Sequence, residues 1–367
     1  MKDNKAKFKE GTLYLANGTE FNGYIPDWLD GSFDGEVVFN TGMTGYPEAL
    51  TDPSYSGQIL TFTYPLLGNY GVAEQSTWES PKIQVAGVVL HELFLNPEHH
   101  ASQSTLLEWL KRENIPVIIG VDTRALTKVI RDHGVLLGAI SSKDKAPKKF
   151  IDPNKEHLVK KASTKKIETY GTGKLKIIAV DCGIKMNIIN NFLNFPVTVK
   201  RVPFDYDYTN DDYDGLFISN GPGDPAVCTE TIATLAKALK KNPNKPIFGI
   251  CLGSQILGLA IGAKTYKLPF GHRGQNQPVI DTQTQKAYLT SQNHGYAVNE
   301  KTLPKDWLVS FRHLNDNTVA GITHKSGLYE AVQYHPEACP GPEDANYLFK
   351  KFIDLVAKTK NQKKRDA

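Results

Sequence analysis

A cysteine between two glycines is the first residue in this sequence that could do chemistry. The run PIFGICLGSQ at 246–255, followed by ILGLAIGA, reads as strand, tight turn and helix. Its turn has the form Gly-x-Cys-x-Gly, with Gly249 and Gly253 on either side of Cys251. It is the cysteine analogue of the strained strand-to-helix elbow that exposes a nucleophilic serine. The small residues let neighbouring backbones approach, and the helix N-terminus favours a thiolate at position 251. The amide of Leu252 would then point toward a developing oxyanion. A buried structural cysteine is the competing reading of a single cysteine. Here the two glycines and the strand–helix setting outweigh it.

A thiolate nucleophile needs a base, and the base needs an orienting group. The candidates stand in YHPE at 334–337. Extended backbone projects residues i and i+2 to one side, so His335 and Glu337 would lie together, with Pro336 stiffening the chain between them. Glu337 would hold the imidazole and stabilise its protonated form. Alone, HPE also reads as an ordinary His and Glu at a strand end, and spacing leaves open whether His335 meets Cys251. A third motif, SNGPGDP at 219–225, follows the strand-like GLFIS. Its Gly221 and Gly223 suit close backbone approach to a ligand, with a plain Gly-Pro turn as the alternative.

These residues need elements to hold them. From Leu175, strand-like runs alternate with helical ones: LKIIAV, a helix from Met186, VTVKRV, GLFIS, a helix with Ile232, Leu235, Ala236 and Leu239 on one face, then PIFGI. Such alternation predicts a mostly parallel sheet covered by helices. A last helix over 345–357 would pack through Leu348, Phe352 and Leu355. Residues 1–142 read as a smaller mixed β/α domain, with strand-rich runs at 35–40 and 58–64. Thr105 and Glu108 form a capping box for a helix over 105–113, and another helix starts near Thr123 and stops at Gly134. Between the domains, 143–173 is Lys-rich, carries Pro147, Pro153, Gly171 and Gly173, and reads as a linker.

Charge follows the same division. The 367 residues carry a net charge of +4. The stretch 143–174 holds ten lysines against four acids, and the tail 358–367 is also basic, so the remainder is acidic. Basic charge in a linker and a tail is solvated charge, which argues against a nucleic-acid surface. No run approaches the roughly 18 apolar residues of a membrane span. The N-terminal MKDNKAKFKE has no apolar stretch of a signal peptide, so the cytoplasm is the expected location. The four cysteines include no C-x-x-C, which predicts a reduced compartment and no structural zinc.

The order NGPGDP, GICLGxQ, QNHG and HPE resembles the class I glutamine amidotransferase family over roughly 174–357. The resemblance implies a flavodoxin-like α/β domain with a Cys251–His335–Glu337 triad and no metal. The earlier runs NTGMTGY at 40–46, LTDPSY at 50–55, YPLLGNYG at 64–71 and VDTRALT at 121–127, with GAKTYK at 262–267 and GQNQPV at 274–279, resemble the small-subunit family of carbamoyl-phosphate synthetases. That resemblance implies L-glutamine as ligand. Ser54 would reach in from the first domain, Gly221 and Gly223 would line the pocket, and Leu252 and Gln255 would flank the nucleophile. Asn293, Gly295 and Tyr296 would hold the amino-acid end. It also implies a large-subunit partner docked on 1–142, which would use ATP, Mg and bicarbonate to make carbamoyl phosphate for pyrimidine or arginine biosynthesis. Three positions depart from the family pattern: Ser254 stands where His is usual, Tyr296 where Phe is, and Pro47 where Gln is.

The chain itself carries no cofactor motif. GTGK at 171–174 lacks the Gly and the Ser or Thr of a phosphate loop, having Glu168 and Leu175 instead. His91-Glu92 is followed by Leu95 where a zinc protease needs His. Two other functions remain open: a glutaminase serving a different synthetase, and a non-catalytic homologue that only binds a partner.

Overall fold

A computed structural model describes residues 8–143 and 145–366. The N-terminal charged residues 1–7, Asp144 and Ala367 lie outside it, as do the side chains from 363 onward in the basic tail. The chain divides into two compact units, Met1–Glu156 and His157–Ala367.

The first unit contains strands β1 (Phe8–Leu15), β2 (Glu20–Pro26), β3 (Ser32–Asn40), β4 (Gln58–Phe62), β5 (Leu66–Leu67), β6 (Gly87–Val89), β7 (Glu92–Leu93), β8 (Val117–Ile118) and β9 (Leu136–Ser141). Its α-helices are α1 (Tyr46–Thr51), α2 (Leu106–Arg112) and α3 (Thr123–His133). Seven strands form one sheet in the order β2-β1-β9-β3-β4-β6-β8. The pairs from β2 to β3 are antiparallel and those from β3 to β8 parallel, so the sheet is mixed. Helix α2 begins with the expected capping box: Thr105 accepts from the Glu108 amide, and Glu108 accepts from the Thr105 amide. Its Trp109 is fully buried against Trp78, with ring centroids 4.5 Å apart. Pro47 sits in the first turn of α1, where its missing N–H costs no helical hydrogen bond.

The second unit contains α4 (Leu158–Ala162), β10 (Glu168–Tyr170), β11 (Leu175–Asp181), α5 (Met186–Leu193), β12 (Val197–Pro203), β13 (Gly215–Ile218), α6 (Thr229–Lys241), β14 (Ile247–Ile250) and α7 (Leu252–Ala260). β15 (Thr265–Asp281), β16 (Ala287–Val298), β17 (Trp307–His313), β18 (Val319–His324), β19 (Tyr329–Val332) and α8 (Tyr347–Asp366) follow. Its ten-stranded sheet runs β10-β12-β11-β13-β14-β19-β18-β17-β15-β16. The five strands from β12 to β19 are parallel, and their order is that of a flavodoxin-like doubly wound fold. Alternation along β11 builds both faces. Ile178 and Val180 pack with α6 and α7, whereas Ile177 and Ala179 pack with α5 and α8.

Three features differ from the sequence expectation. Residues 143–173 do not form a free linker. The first part belongs to the first unit, where the Asn154 side chain donates to Glu36. The second part forms α4, which buries Leu158 and Val159, and β10, which pairs with β12. The basic residues after 357 continue α8 to Asp366, because no Gly or Pro interrupts the helix. The sheet also continues beyond its parallel core into the antiparallel strands β15 to β18. Among the described residues, no helix is long and apolar enough to cross a membrane.

Candidate active site

The C-terminal ends of the parallel strands gather the candidate residues. Cys251 lies between β14 and α7 at φ 53° and ψ −105°, a region that non-glycine residues rarely occupy. Its amide donates to the Val332 carbonyl at 2.8 Å, and its carbonyl accepts from Ser254 and Gln255. Both flanking glycines are sterically required. A Cβ on Gly253 would lie 2.1 Å from the Ile218 carbonyl oxygen, and one on Gly249 would lie 2.9 Å from the Gly253 backbone. The turn therefore holds the cysteine at the head of α7, with the Leu252 amide next in the chain.

His335 follows β19, and its amide donates to the Ser291 carbonyl of β16 across an isolated bridge. Its Nδ1 lies 2.6 Å from Glu337 Oε1, so the expected i, i+2 pair forms. Both side chains are almost wholly buried. Burial acts most strongly against the charged imidazole, but the Glu337 carboxylate and the Cys251 sulfur outweigh it and raise the His335 pKa to about 10. Burial likewise opposes the Glu337 charge, yet Lys185 and then His335 hold its pKa down at about 2. The structure thus forms the His335–Glu337 pair and sets Cys251 near enough to act on the His335 charge, with His335 Nε2 making no hydrogen bond among the described residues. The Cys251 sulfur also lies 3.5 Å from the Asn293 carbonyl oxygen.

Sequence reasoning missed Lys185. It is buried at the head of α5, with Nζ 3.2 Å from Glu337 Oε1 and 2.7 Å from the Ala338 carbonyl. Asn187 donates to the Glu337 carbonyl at 2.6 Å, so the start of α5 grips the segment that carries the acid. A lysine far upstream in DCGIKMN gives no sequence signal for this role.

The loop after β13 is fixed from within. Ser219 Oγ accepts from the Cys182 amide and donates to the Asn220 carbonyl, while Asn220 Oδ1 accepts from the Lys185 amide. Gly221 touches the Cys182 backbone so closely that a Cβ would lie 2.1 Å from its oxygen, and Gly223 has a φ of +85°. Gln255 donates to the Tyr296 carbonyl at 2.8 Å and to Gln333 at 3.1 Å, tying α7 to the strand that carries Asn293, Gly295 and Tyr296. Ser254 is buried inside α7. Ser54 belongs to the first unit, in a short 3-10 turn where its amide donates to Asp52.

Comparison with known proteins gives the class first. Residues 178–355 match the family described as Glutamine amidotransferase class-I, so the second unit is a domain of that class. Residues 13–140 match the Carbamoyl-phosphate synthase small chain, CPSase domain. The chain is 42% identical over 375 residues to the carbamoyl phosphate synthase arginine-specific small chain of Neurospora crassa, covering 97% of this chain and 82% of that one. It therefore belongs to the family of carbamoyl-phosphate synthase small chains. It is also 48% identical over 360 residues to the multifunctional protein CAD of Squalus acanthias and 44% identical over 364 residues to the mitochondrial carbamoyl-phosphate synthase [ammonia] of Homo sapiens. Those matches cover 95% and 96% of this chain but only 16% and 24% of the two longer proteins.

Proposed function

We propose that this chain is the glutamine-hydrolysing small subunit of a carbamoyl-phosphate synthetase. The observation that carries the reading is the strained Cys251 elbow set beside the buried His335–Glu337 pair. With its proton passed to His335, the Cys251 sulfur attacks the side-chain carboxamide carbon of L-glutamine. The Leu252 amide and the Gly221–Gly223 loop stabilise the tetrahedral oxyanion. His335 gives its proton to the leaving nitrogen, ammonia departs, and a thioester remains. Water then adds to that carbonyl with His335 as base, the C–S bond breaks, and glutamate and the thiol are released. Gln255, Asn293, Gly295 and Tyr296 hold the substrate. A raised His335 pKa suits this role, because a protonated ring is the partner a thiolate needs.

The ammonia passes to a large subunit in a heterodimeric complex, and that subunit uses ATP, Mg and bicarbonate to make carbamoyl phosphate in the cytoplasm. This chain needs no cofactor of its own for the hydrolysis. The first unit provides most of the docking surface, through an interface of at least about 1,200 Å². One relative is named as an ammonia enzyme. The Cys251 constellation is what supports glutamine as the nitrogen source here. The test is glutamate release by the full chain and its Cys251→Ser variant, alone and co-expressed with a large subunit, followed by size-exclusion chromatography. The expected result is slow hydrolysis alone, faster hydrolysis in a co-eluting complex, and no turnover but retained glutamine binding in the variant. Near-normal turnover by Cys251→Ser would refute the nucleophile, and full activity without co-elution would refute the subunit role.

A further inference from the structure

A cluster of three histidines lies outside the proposed reaction path, on the antiparallel part of the second unit. His272 on β15 faces His294 on β16, with Nδ1 3.2 Å from His294 Nε2. On its other side, His272 Nε2 lies 2.8 Å from Asp316 Oδ2. The Asp316 carboxylate also receives the Thr318 amide and hydroxyl and lies 3.4 Å from His313 Nδ1. His272, His313 and Asp316 bring their polar atoms within 4.8 Å of one another, as metal ligands would. However, the two imidazoles stack almost parallel, 4.0 Å apart at 12°, so their in-plane lone pairs run side by side instead of converging on one ion. The arrangement is a clamp on His272, and His313 is itself fixed by Gln277 at 2.9 Å.

The contacts continue along β16. His294 Nδ1 lies 2.8 Å from the Tyr296 carbonyl, which only a ring N–H can satisfy. Its Nε2 lies between His272 Nδ1 at 3.2 Å and the Gln292 side-chain oxygen at 2.9 Å, and burial and the nearby His272 hold its pKa well below the usual imidazole range. Close polar contacts thus run from Asp316 through His272 and His294 to the Tyr296 carbonyl. The backbone around it is irregular: the β15–β16 ladder breaks register between Lys267 and His272 and again between Gly274 and Gln277. Between the breaks only three rungs are aligned, His272 with His294, Arg273 with Asn293 and Gly274 with Gln292. Bulges of this kind re-aim side chains beside active sites.

We infer that His272, clamped by Asp316 and His313, is a positioning residue for L-glutamine: through His294 it fixes the strand segment that presents Asn293, Gly295 and Tyr296 to the amino-acid end of the substrate. This rests on the glutaminase reading above. Cys251, His335 and Glu337 are carried by other segments, which meet β16 through its backbone carbonyls, the His335 amide on Ser291 and the Cys251 sulfur on Asn293.

The test is steady-state glutamine hydrolysis by the full chain carrying His272→Gln, His272→Asn or Asp316→Asn, with thermal melting as a fold check. A glutamine at 272 can still reach Asp316 but not His294, whereas an asparagine amide replaces Nδ1 and can still hydrogen-bond to His294. His272→Gln should raise KM about tenfold, the scale of one lost hydrogen bond at a buried partner, with kcat within about twofold. His272→Asn should recover most of that loss. Asp316→Asn, on a loop side chain that is partly exposed, should raise KM in the same direction. Unchanged KM in His272→Gln and Asp316→Asn, or a loss confined to kcat, would overturn the inference while leaving the glutaminase reading intact. A wild-type chain that neither binds nor hydrolyses glutamine would overturn both.

Discussion

Replacing Glu337 by Gln tests the electrostatics of the site most directly. The amide keeps the size of the carboxylate and removes its charge. His335 owes its pKa of about 10 to Glu337 and Cys251 acting against a strong opposing effect of burial. Without the carboxylate only the Cys251 sulfur opposes burial, and the ring should fall toward or below the ordinary 6.5. A shift of that size is about 5 kcal/mol of preference for the imidazolium, at about 1.4 kcal/mol per unit. At pH 8 the wild-type ring would be almost fully protonated and the variant ring roughly 3% protonated, so turnover should fall at least about thirtyfold. The assay is glutamate release from pH 5.5 to 10.5. The alkaline limb should move from about 10 to 6.5 or lower. A variant slowed equally at every pH, with its limb still near 10, would refute the argument. The stability of the pair has its own pH window. His335 has a raised pKa, so its contribution is complete below 6.5 and lost as pH rises through about 10. Glu337 has a depressed pKa, so its contribution is present above 4.5 and lost as pH falls through about 2. Breaking a buried pair costs about 3–5 kcal/mol, so the assay belongs well below the variant's melting temperature.

Two further substitutions probe the scaffold and the pocket. Gly253→Ala would press a methyl group against the Ile218 carbonyl, 2.1 Å away, and should cost about 1–3 kcal/mol or more in denaturant titration; an unchanged midpoint would show that the elbow can relax. The sequence expectation for Ser54 predicts that Ser54→Ala raises KM for glutamine with little change in kcat, by the worth of one polar contact, about 0.5–3 kcal/mol. Unchanged kinetics would show that Ser54 does not touch the substrate.

Legibility in the sequence followed locality. The elbow could be read because its needs are met within five residues: two glycines, a strand before and a helix after. The His335–Glu337 contact was equally readable from an i, i+2 spacing. Lys185 was not, because its partner lies far along the chain and a single lysine before a helix looks like a solvated N-terminus. The Lys-rich 143–173 misled for a related reason. Only Leu158 and Val159 of α4 are buried, and the following segment is held by tertiary bonds, with the Thr164 amide and Arg201 both on the buried Asp181 carboxylate. Composition registers lysines but not a distant aspartate that ties the chain down. The continuation of α8 into the tail has a local cause that charge counting hid: Lys, Gln and Arg are good helix formers, and no Gly or Pro follows the apolar stripe to stop them.

The place of β19 bears on when Cys251 meets its partners during synthesis. The strand lies between β14 and β18, so it joins the parallel half of the sheet to the antiparallel half, although it is the last strand to be made. Until residues 329–332 emerge, the Cys251 amide lacks its Val332 acceptor and the two halves have no strand in common. His335 and Glu337 leave the ribosome directly after that strand. On the glutaminase reading, a chain that has not yet made these residues carries the thiol without its proton acceptor. Closing the sheet and arming the cysteine would then be one event, with nearly all of the sheet that shields the site already made.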